Sequence, residues 1–564
     1  MAASNAKVAE LLRQYAGVLA LEGADRFKTK AYRRAADTIE GLHDDVARLV
    51  ARGEDLQSLP GVDKAISAVI HDILETGKLP QLDKALSKLG PGIAELANKP
   101  ALDPKQVARI YKKLKINSLK ELGDRLEAGE IRKTLGARAE FHVRHGLDER
   151  PRMLLWDAEP LARKIESYLR SVPGVTLVSA AGSLRRNKDT VGDLNFVVAG
   201  RTASALFKGF AEFGGVLSSE KRSARETLFK LPSGLGVNLA WTPDDEWGLS
   251  LIVRTGSAAH LEDLQTRAGE LKLKLAAKAL SAKKIDLSDE ASIYRALKMQ
   301  FIEPELREGR GEVQAASDGS LPKLVTIEDL RGDLHMHTTA SDGANSMAEM
   351  AAAAEARGYR YIAITDHSQS LKITNGLTEK RLLQQIRAID KLNAKLDGFV
   401  VLKSAEVDIL EDGRLDYSDA VLKELDLTMC SIHSRFGLNR EQQTERIMRA
   451  MDNQYFNILG HATGRLLLKR EGYELDMDRI VQHARANGCF FEINSSPDRL
   501  DLSDEHAKLA KDHGVKIAVN TDAHSIAELN FISAGLNQAR RAWLEPADVL
   551  NTLPLAKLKK ALRR

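Results

Sequence analysis

Apolar residues follow two different rhythms along this chain. Through residues 1–150 they recur at helical spacing in Ala6–Leu21, Lys30–Leu42, Ala65–Thr76, Pro80–Leu89, Pro104–Leu114 and Ser118–Ala128, with Gly or Pro at the breaks. That spacing puts the apolar side chains on one face and predicts an all-helical segment. Beyond residue 330 the rhythm changes to short continuous runs: Arg331–His337, Arg360–His367, Phe399–Asp408, Leu425–His433, Phe456–His461, Cys489–Asn494 and Lys516–His524. Helix-like stretches such as Ser346–Arg357 and Glu379–Leu396 lie between them. Such alternation predicts parallel βα units.

Each of these runs ends in a residue of metal-ligand type. In a closed barrel of βα units the C-terminal strand ends converge on one face. His335, His337, Asp342, His367, Glu406, His433, His461, Asp522 and His524 are therefore predicted to meet there. His335 and His337 alternate on one strand face, and Asp522 and His524 repeat the spacing. A lone strand-end histidine is most often a core or capping residue. Here nine of the fourteen histidines lie beyond residue 330, and six of those nine fall on these strand ends. So many nitrogen and oxygen ligands exceed the needs of one ion and suit a two- or three-metal hydrolytic centre.

The motifs Asp333-Leu-His-Met-His-Thr, Ser341-Asp-Gly, Thr365-Asp-His, Glu406-Val-Asp, Ser431-Ile-His-Ser, Gly460-His and Thr521-Asp-Ala-His resemble the PHP (polymerase and histidinol phosphatase) domain. That resemblance implies a distorted (β/α)7 barrel whose trinuclear metal site hydrolyses phosphoesters. On this reading His335, His337, Glu406 and Asp522 are catalytic and hold one ion. Asp342, His367, His433, His461 and His524 complete the others, and Glu406 bridges. Two or three ions of Mn, Zn or Fe per site are expected, because a His-rich set with carboxylates suits all three metals.

The whole chain resembles bacterial family X DNA polymerases that carry a C-terminal PHP domain. The division implied is a helical helix-hairpin-helix domain (1–150), an α+β nucleotidyltransferase palm (151–242), a thumb (243–312), a small-residue linker (313–330) and the PHP barrel (331–564). Gly182, Ser183, Arg185 and Arg186 match the family's nucleotide-binding turn, where backbone N–H groups and guanidinium forks suit triphosphate oxygens. Ten residues on, 193 and 195 share one strand face. The family motif has Asp at all three positions filled here by Asp193, Asn195 and Asn238. Two-metal phosphoryl transfer needs carboxylates around a pair of Mg²⁺ ions about 4 Å apart. Losing two negative charges predicts an impaired polymerase centre, with Mg²⁺ serving only residual activity. Asp244 and Asp245 are poor substitutes, since both lie past Pro243. Val253-Arg254 replaces the usual aromatic pair and Leu261 follows His260 where relatives have Asn. Those positions face nucleotide and template base in the family.

In the helical segment, Leu59-Pro-Gly61-Val-Asp63-Lys64 resembles a helix-hairpin-helix turn, whose glycines bring backbone N–H groups to a phosphate. Gly61, Lys64 and Lys105 are the expected DNA contacts. Asp63 replaces a family glycine, a second candidate at 101–105 has Ala101 and Asp103 in glycine positions, and a third around Leu135-Gly-Ala-Arg keeps one glycine. An Asp beside a phosphate repels it, which predicts a weakened grip on DNA.

Charge adds little. The net is +4 for residues 1–150, +1 for 151–330 and −1 for 331–564, so no domain shows the basic excess usual for DNA binders. Clusters such as Lys28–Arg34 and Lys112–Lys115 read equally well as solvated helix faces. Cys430 and Cys489 fall inside apolar strands and read as buried thiols of a reducing cytoplasm. No apolar run approaches the roughly 20 residues of a membrane span, so a cytoplasmic monomer without a membrane partner is expected. The resemblance implies as partners DNA with gaps or 3′ ends, and dNTP. The reading is a repair-type 3′–5′ exonuclease or 3′-phosphatase. The alternatives are an active gap-filling polymerase with exonuclease, and a nucleic-acid-binding scaffold with a small-molecule PHP phosphatase.

Overall fold

The computed structural model describes residues 5–22, 25–40, 42, 46–89, 96, 102, 104–116, 118–147 and 152–562. The chain forms two compact units, residues 1–319 and residues 320–467 with 471–564.

In the first unit, helices Asn5–Leu21, Arg26–Glu40, Val46–Ala51, Lys64–Thr76 and Pro80–Leu89 bury Leu12, Tyr32, Ile39 and Ile70 together. Helices Pro104–Leu114, Leu119–Glu127, Glu130–Leu135 and Ala137–Leu147 close around Ile110, Leu122, Ile131 and Val143. Helical spacing finds most of these elements. It places the second start at Lys30 rather than Arg26, because Asp25, whose carboxylate accepts from the Phe27 N–H at 3.2 Å, begins that helix.

The strands that follow are β1 (Met153–Leu154), β2 (Val175–Ala181), β3 (Thr190–Val191), β4 (Asp193–Gly200), β5 (Ser218–Ser223), β6 (Glu226–Lys230) and β7 (Gly236–Thr242). β1 and β3 pair alone; the others form a sheet in the order β2-β4-β7-β6-β5. Leu194, Phe196 and Val198 turn toward helices Leu155–Ser171 and Ala203–Ala211. Strand alternation sends Asp193, Asn195 and Val197 to the opposite face, where Val197 meets Leu251 of helix Trp247–Thr255. The stretch expected as a linker, 313–330, is folded in part: helix Glu312–Asp318 buries Glu312 and Val313.

The second unit is a seven-stranded parallel sheet in chain order: β8 (Gly332–Asp333), β9 (Tyr361–Ile364), β10 (Val400–Asp408), β11 (Leu427–Ser431), β12 (Ile458–Leu459), β13 (Phe490–Asn494) and β14 (Ile517–Asn520). Tyr361 and Ala363 point inward with Leu402 and Met429, while Ile362 and Ile364 point outward to the helices. Burial on both faces explains why these strands read as continuous apolar runs. The sheet curls into a nearly closed barrel. At the ligand end, His337 N donates to Ala523 O at 2.8 Å and Asp522 N to His335 O at 2.9 Å. Lower down, Asn551 bridges the first and last strands, its Nδ2 donating to Gly332 O (2.9 Å) and Val519 O (2.6 Å). The helix Leu555–Leu562 closes the far end through Leu558 and Leu562. Both cysteines are buried free thiols, and no helix among the described residues is long and apolar enough to cross a membrane.

Candidate functional site

All nine metal-type residues expected at the strand ends meet at the mouth of the barrel. His335 Nε2 lies 3.4 Å from Asp522 Oδ1 and 3.6 Å from Glu406 Oε2. His337 Nε2 lies 3.0 Å and 3.6 Å from the same two oxygens. The other Glu406 oxygen, Oε1, faces His461 Nε2 at 2.9 Å and His433 Nε2 at 3.3 Å. Asp342 Oδ2 receives His524 Nε2 at 3.5 Å and His367 Nε2 at 3.6 Å, and His367 Nδ1 also reaches Glu406 at 2.8 Å. Three sets of ligand atoms thus gather within one ion's span: His337, Asp342, His367 and His524; His335, His337 and Asp522; His367, Glu406 and His433. Glu406 stands between the last two.

Whether these residues fit metal ions can be tested on their unused atoms. His335 Nε2, His337 Nδ1, Glu406 Oε2 and His461 Nδ1 are buried without a hydrogen bond. A buried polar atom left unsatisfied costs about 1–3 kcal/mol, and the first three of these atoms themselves face ligand atoms of neighbouring residues. The donor set, mixed imidazole and carboxylate, suits Zn²⁺, Mn²⁺ or Fe²⁺.

The local fold spends energy to hold this arrangement. Asp522 and His461 have φ of 55° and 26°, a left-handed backbone that costs non-glycine residues about 1–3 kcal/mol each and clusters at functional sites. Gly460 precedes His461 because a Cβ there would stand 2.6 Å from Ser431 Oγ.

The electrostatics are those of imidazoles and carboxylates sharing a largely buried pocket. Burial raises the Glu406 carboxyl, but His367, His433 and His335 outweigh it and hold it well below the ordinary range. Asp522 is likewise held low against burial by His335 and His337. Burial lowers His433, yet Glu406 and Asp408 push it up to about 10. His524 is pushed up to about 9 against burial by Asp342 and Asp522. His337, buried beside His367 and His524, falls to about 4.

A ring of supporting side chains lies outside the nine ligands expected from sequence. His335 Nδ1 donates to Glu492 at 2.7 Å and His433 Nδ1 to Asp408 at 2.6 Å, which turns each Nε2 toward the ligand cluster. Asn494 Nδ2 donates to Asp522 Oδ2 at 3.0 Å, and Arg499 Nε lies 3.8 Å from the same oxygen. Asp366 accepts from Thr338 N at 2.8 Å and Ser341 Oγ at 2.6 Å, fixing the loop that carries Asp342. Two of these were visible as signals: Asp408 lies two residues beyond Glu406 on the same strand, and Glu492 is an acid inside the apolar run Cys489–Asn494.

The palm site is built differently. β4 and β7 run parallel with Asn195 opposite Asn238, so the three triad positions share one face of the sheet. Asn195 Nδ2 donates to Asp193 Oδ1 at 2.8 Å, and Asn238 Nδ2 donates to Asn195 Oδ1 at 3.2 Å and to Glu226 Oε1 at 2.8 Å. Arg254 Nη2 completes the chain on Glu226 Oε2 at 2.9 Å. Asp244 and Asp245 lie in the turn after β7, outside the strand. At the turn, Gly182 (φ 59°) abuts Asn195, where a Cβ would come within 2.9 Å of Nδ2. Arg185 is bidentate on Glu290 at 3.0 and 2.6 Å, and Arg186 binds Glu308 at 2.9 Å. Both guanidinium groups are thus engaged by the chain's own carboxylates. His260 is fully buried against Glu312 at 2.6 Å, so its side chain lines the interior rather than a nucleotide surface. Val253 is exposed.

In the helical region Gly61 has φ 83°, and a Cβ there would stand 2.7 Å from Arg34 Cγ. Asp63 caps helix Lys64–Thr76, accepting from Ile66 N at 2.8 Å, a role the sequence signals by an acid just before a helix. Lys64 is exposed at that helix start. Ala101 and Asp103 lie outside the described residues, as does the Lys105 side chain.

Comparison with known proteins divides along the same lines. Residues 3–79 match a helix-hairpin-helix domain, 250–308 a DNA polymerase beta thumb and 333–496 a PHP domain. A Bacillus subtilis protein described as DNA polymerase/3'-5' exonuclease PolX is 34% identical over 569 residues, covering 99% of both chains. A probable phosphatase of Thermoanaerobacter sp. is 31% identical over 242 residues, 41% of this chain and 94% of its own. Another from Caldanaerobacter subterraneus is 29% identical over 231 residues, 39% of this chain and 86% of its own.

Proposed function

This chain belongs to the family X DNA polymerases that carry a C-terminal PHP domain, and from that premise we propose that its retained activity is metal-dependent phosphoester hydrolysis at DNA 3′ ends, with the palm impaired. One contrast carries the reading. The barrel mouth holds a full set of inward ligands around Glu406, whereas the palm face carries a hydrogen-bonded chain from Asp193 to Arg254.

Divalent ions, when bound by these ligands, would supply Lewis acidity for phosphoester hydrolysis. The chain's own residues set that up. His335, His337, Glu406 and Asp522 would hold one ion, Glu406 with His433 and His461 a second, and Asp342 with His367 and His524 a third. Glu492 and Asp408 keep the His335 and His433 rings turned inward. At the palm, the amides of Asn195 and Asn238 donate N–H groups where metal binding asks for negative oxygen. Gly61 and Lys64 of the helical region would contact the DNA backbone. Gly182, Ser183, Arg185 and Arg186 would contact dNTP weakly, because Glu290 and Glu308 compete for the arginines.

The probable phosphatases that match the barrel alone favour a second reading, a small phosphomonoester substrate. Purified full-length protein with Mn²⁺ and an end-labelled one-nucleotide-gap duplex, with and without dNTPs, separates these. Shortening of the 3′ end with little dNTP-dependent extension is expected; robust extension with Mg²⁺, or hydrolysis of p-nitrophenyl phosphate alone, would overturn the reading.

A further inference from the structure

Large apolar side chains standing in water are few among the described residues of the second unit: Ile327, Ile373 at 92% exposure and Phe436 at 37%. Two of the three sit on loops leaving ligand-bearing strand ends. Phe436 follows His433 by three residues and Ile373 follows His367 by six. Three residues of chain span at most about 11 Å, so the Phe436 backbone lies within that distance of the His433 backbone.

Both positions are built rather than loose. Phe436 stacks on Tyr473, with centroids 5.8 Å apart and 14° between the planes. Tyr473 is set in place by its N–H on Thr463 O at 3.0 Å. It also lies against Gly464, where a Cβ would come within 2.7 Å of the ring. The stacked pair therefore hangs from the loops that carry His433 and His461, the two histidines facing Glu406 Oε1. Ile373 tops the turn Lys372–Thr374. Asn375 and Arg381 tie that turn to Ala340 O at 3.2 and 2.5 Å, two residues before Asp342.

A flat ring at the rim of a phosphoester centre suits a flat apolar partner, and every nucleobase offers one. An aliphatic tip on the turn after His367, next to the exposed Lys372, suits the edge of an unstacked base near its phosphate. A small aliphatic phosphomonoester would leave both surfaces in water. We propose that Phe436, backed by Tyr473, stacks the terminal base of a DNA strand whose 3′ phosphoester lies at the metal centre, with Ile373 against the edge of that base. This rests on the reading of the barrel as a DNA 3′-end hydrolase.

The test uses full-length protein with Mn²⁺ and two oligonucleotides that differ only at the 3′ residue, one bearing a base and one a tetrahydrofuran abasic site. The wild type should favour the base-bearing end in kcat/KM by about five- to 160-fold, the range of base–aromatic stacking. F436A should collapse that ratio toward one, I373A should lower it partly, and F436W should keep it. An unchanged ratio in F436A, or an equal loss on both ends, would overturn the shelf while leaving the hydrolase reading intact. If the wild type cleaves neither strand but hydrolyses p-nitrophenyl phosphate, the DNA-end reading fails and the shelf falls with it.

Discussion

Glu492 accepts a 2.7 Å hydrogen bond from Nδ1 of His335, 157 residues earlier in the chain. With Nδ1 occupied, the opposite ring nitrogen, Nε2, is aimed at Glu406 and Asp522. The same carboxylate accepts from His461 N at 2.9 Å, so one acid orients two of the predicted ligands.

Glu492→Ala should weaken metal affinity by about ten- to a hundredfold, as supporting partners of metal ligands commonly do. Hydrolysis should recover substantially at high Mn²⁺. A metal titration followed by activity and by calorimetry checks this; an unchanged affinity would remove Glu492 from the site.

Metal loading should release protons. His433 and His524 are pushed up to about 10 and 9, so both are protonated at neutral pH and must lose a proton to ligate. Affinity is therefore expected to rise with pH from 6 to 9, with acidification of a weakly buffered solution as Zn²⁺ is added. Proton-free, pH-independent binding would contradict the ligand assignment.

Restoring carboxylates at the palm should have two effects. Asn195→Asp with Asn238→Asp removes the amide donors that link Asp193 to Glu226 and crowds like charges. The double variant should melt lower without metal and regain stability with Mg²⁺, a response the wild type lacks. Primer extension across a one-nucleotide gap should rise, but incompletely, because Arg254 and Val253 remain. Thermal melts with and without Mg²⁺, beside an extension assay, read both.

Binding of dNTP should be weak and largely independent of metal. Glu308→Gln frees Arg186 from a 2.9 Å ion pair and should tighten binding several-fold. A fluorescence titration that finds no binding at millimolar dNTP in either protein would exclude the turn as a nucleotide site.

Much of the barrel was readable from sequence because its information is local. A doubly buried strand announces itself as an apolar run, and a ligand at its end needs no partner to be noticed. His335 with His337 and Asp522 with His524 even declare their shared faces by spacing alone. The supporting residues are different. Asn551 seals the barrel seam on Gly332, 219 residues away, and Glu492 meets His335 only through the closed topology. In the palm, the spacing of 193 and 195 foretold one face, but not that Glu226 and Arg254 would extend the triad into a chain. Nor does sequence reveal that Arg185 and Arg186 meet Glu290 and Glu308, more than a hundred residues on. Asp63, read as a charge that would repel phosphate, also caps a helix, a local role that an acid just before a helix signals.

The most direct test of the central claim is the rate of 3′-end hydrolysis of a gapped duplex with Mn²⁺ by the wild type and by His335→Ala, His433→Ala and Asp522→Ala. His335 and Asp522 belong to one ligand set and His433 to another, and each variant should lose activity by at least about a hundredfold while keeping its fold by circular dichroism. Near-wild-type hydrolysis in all three would contradict the account.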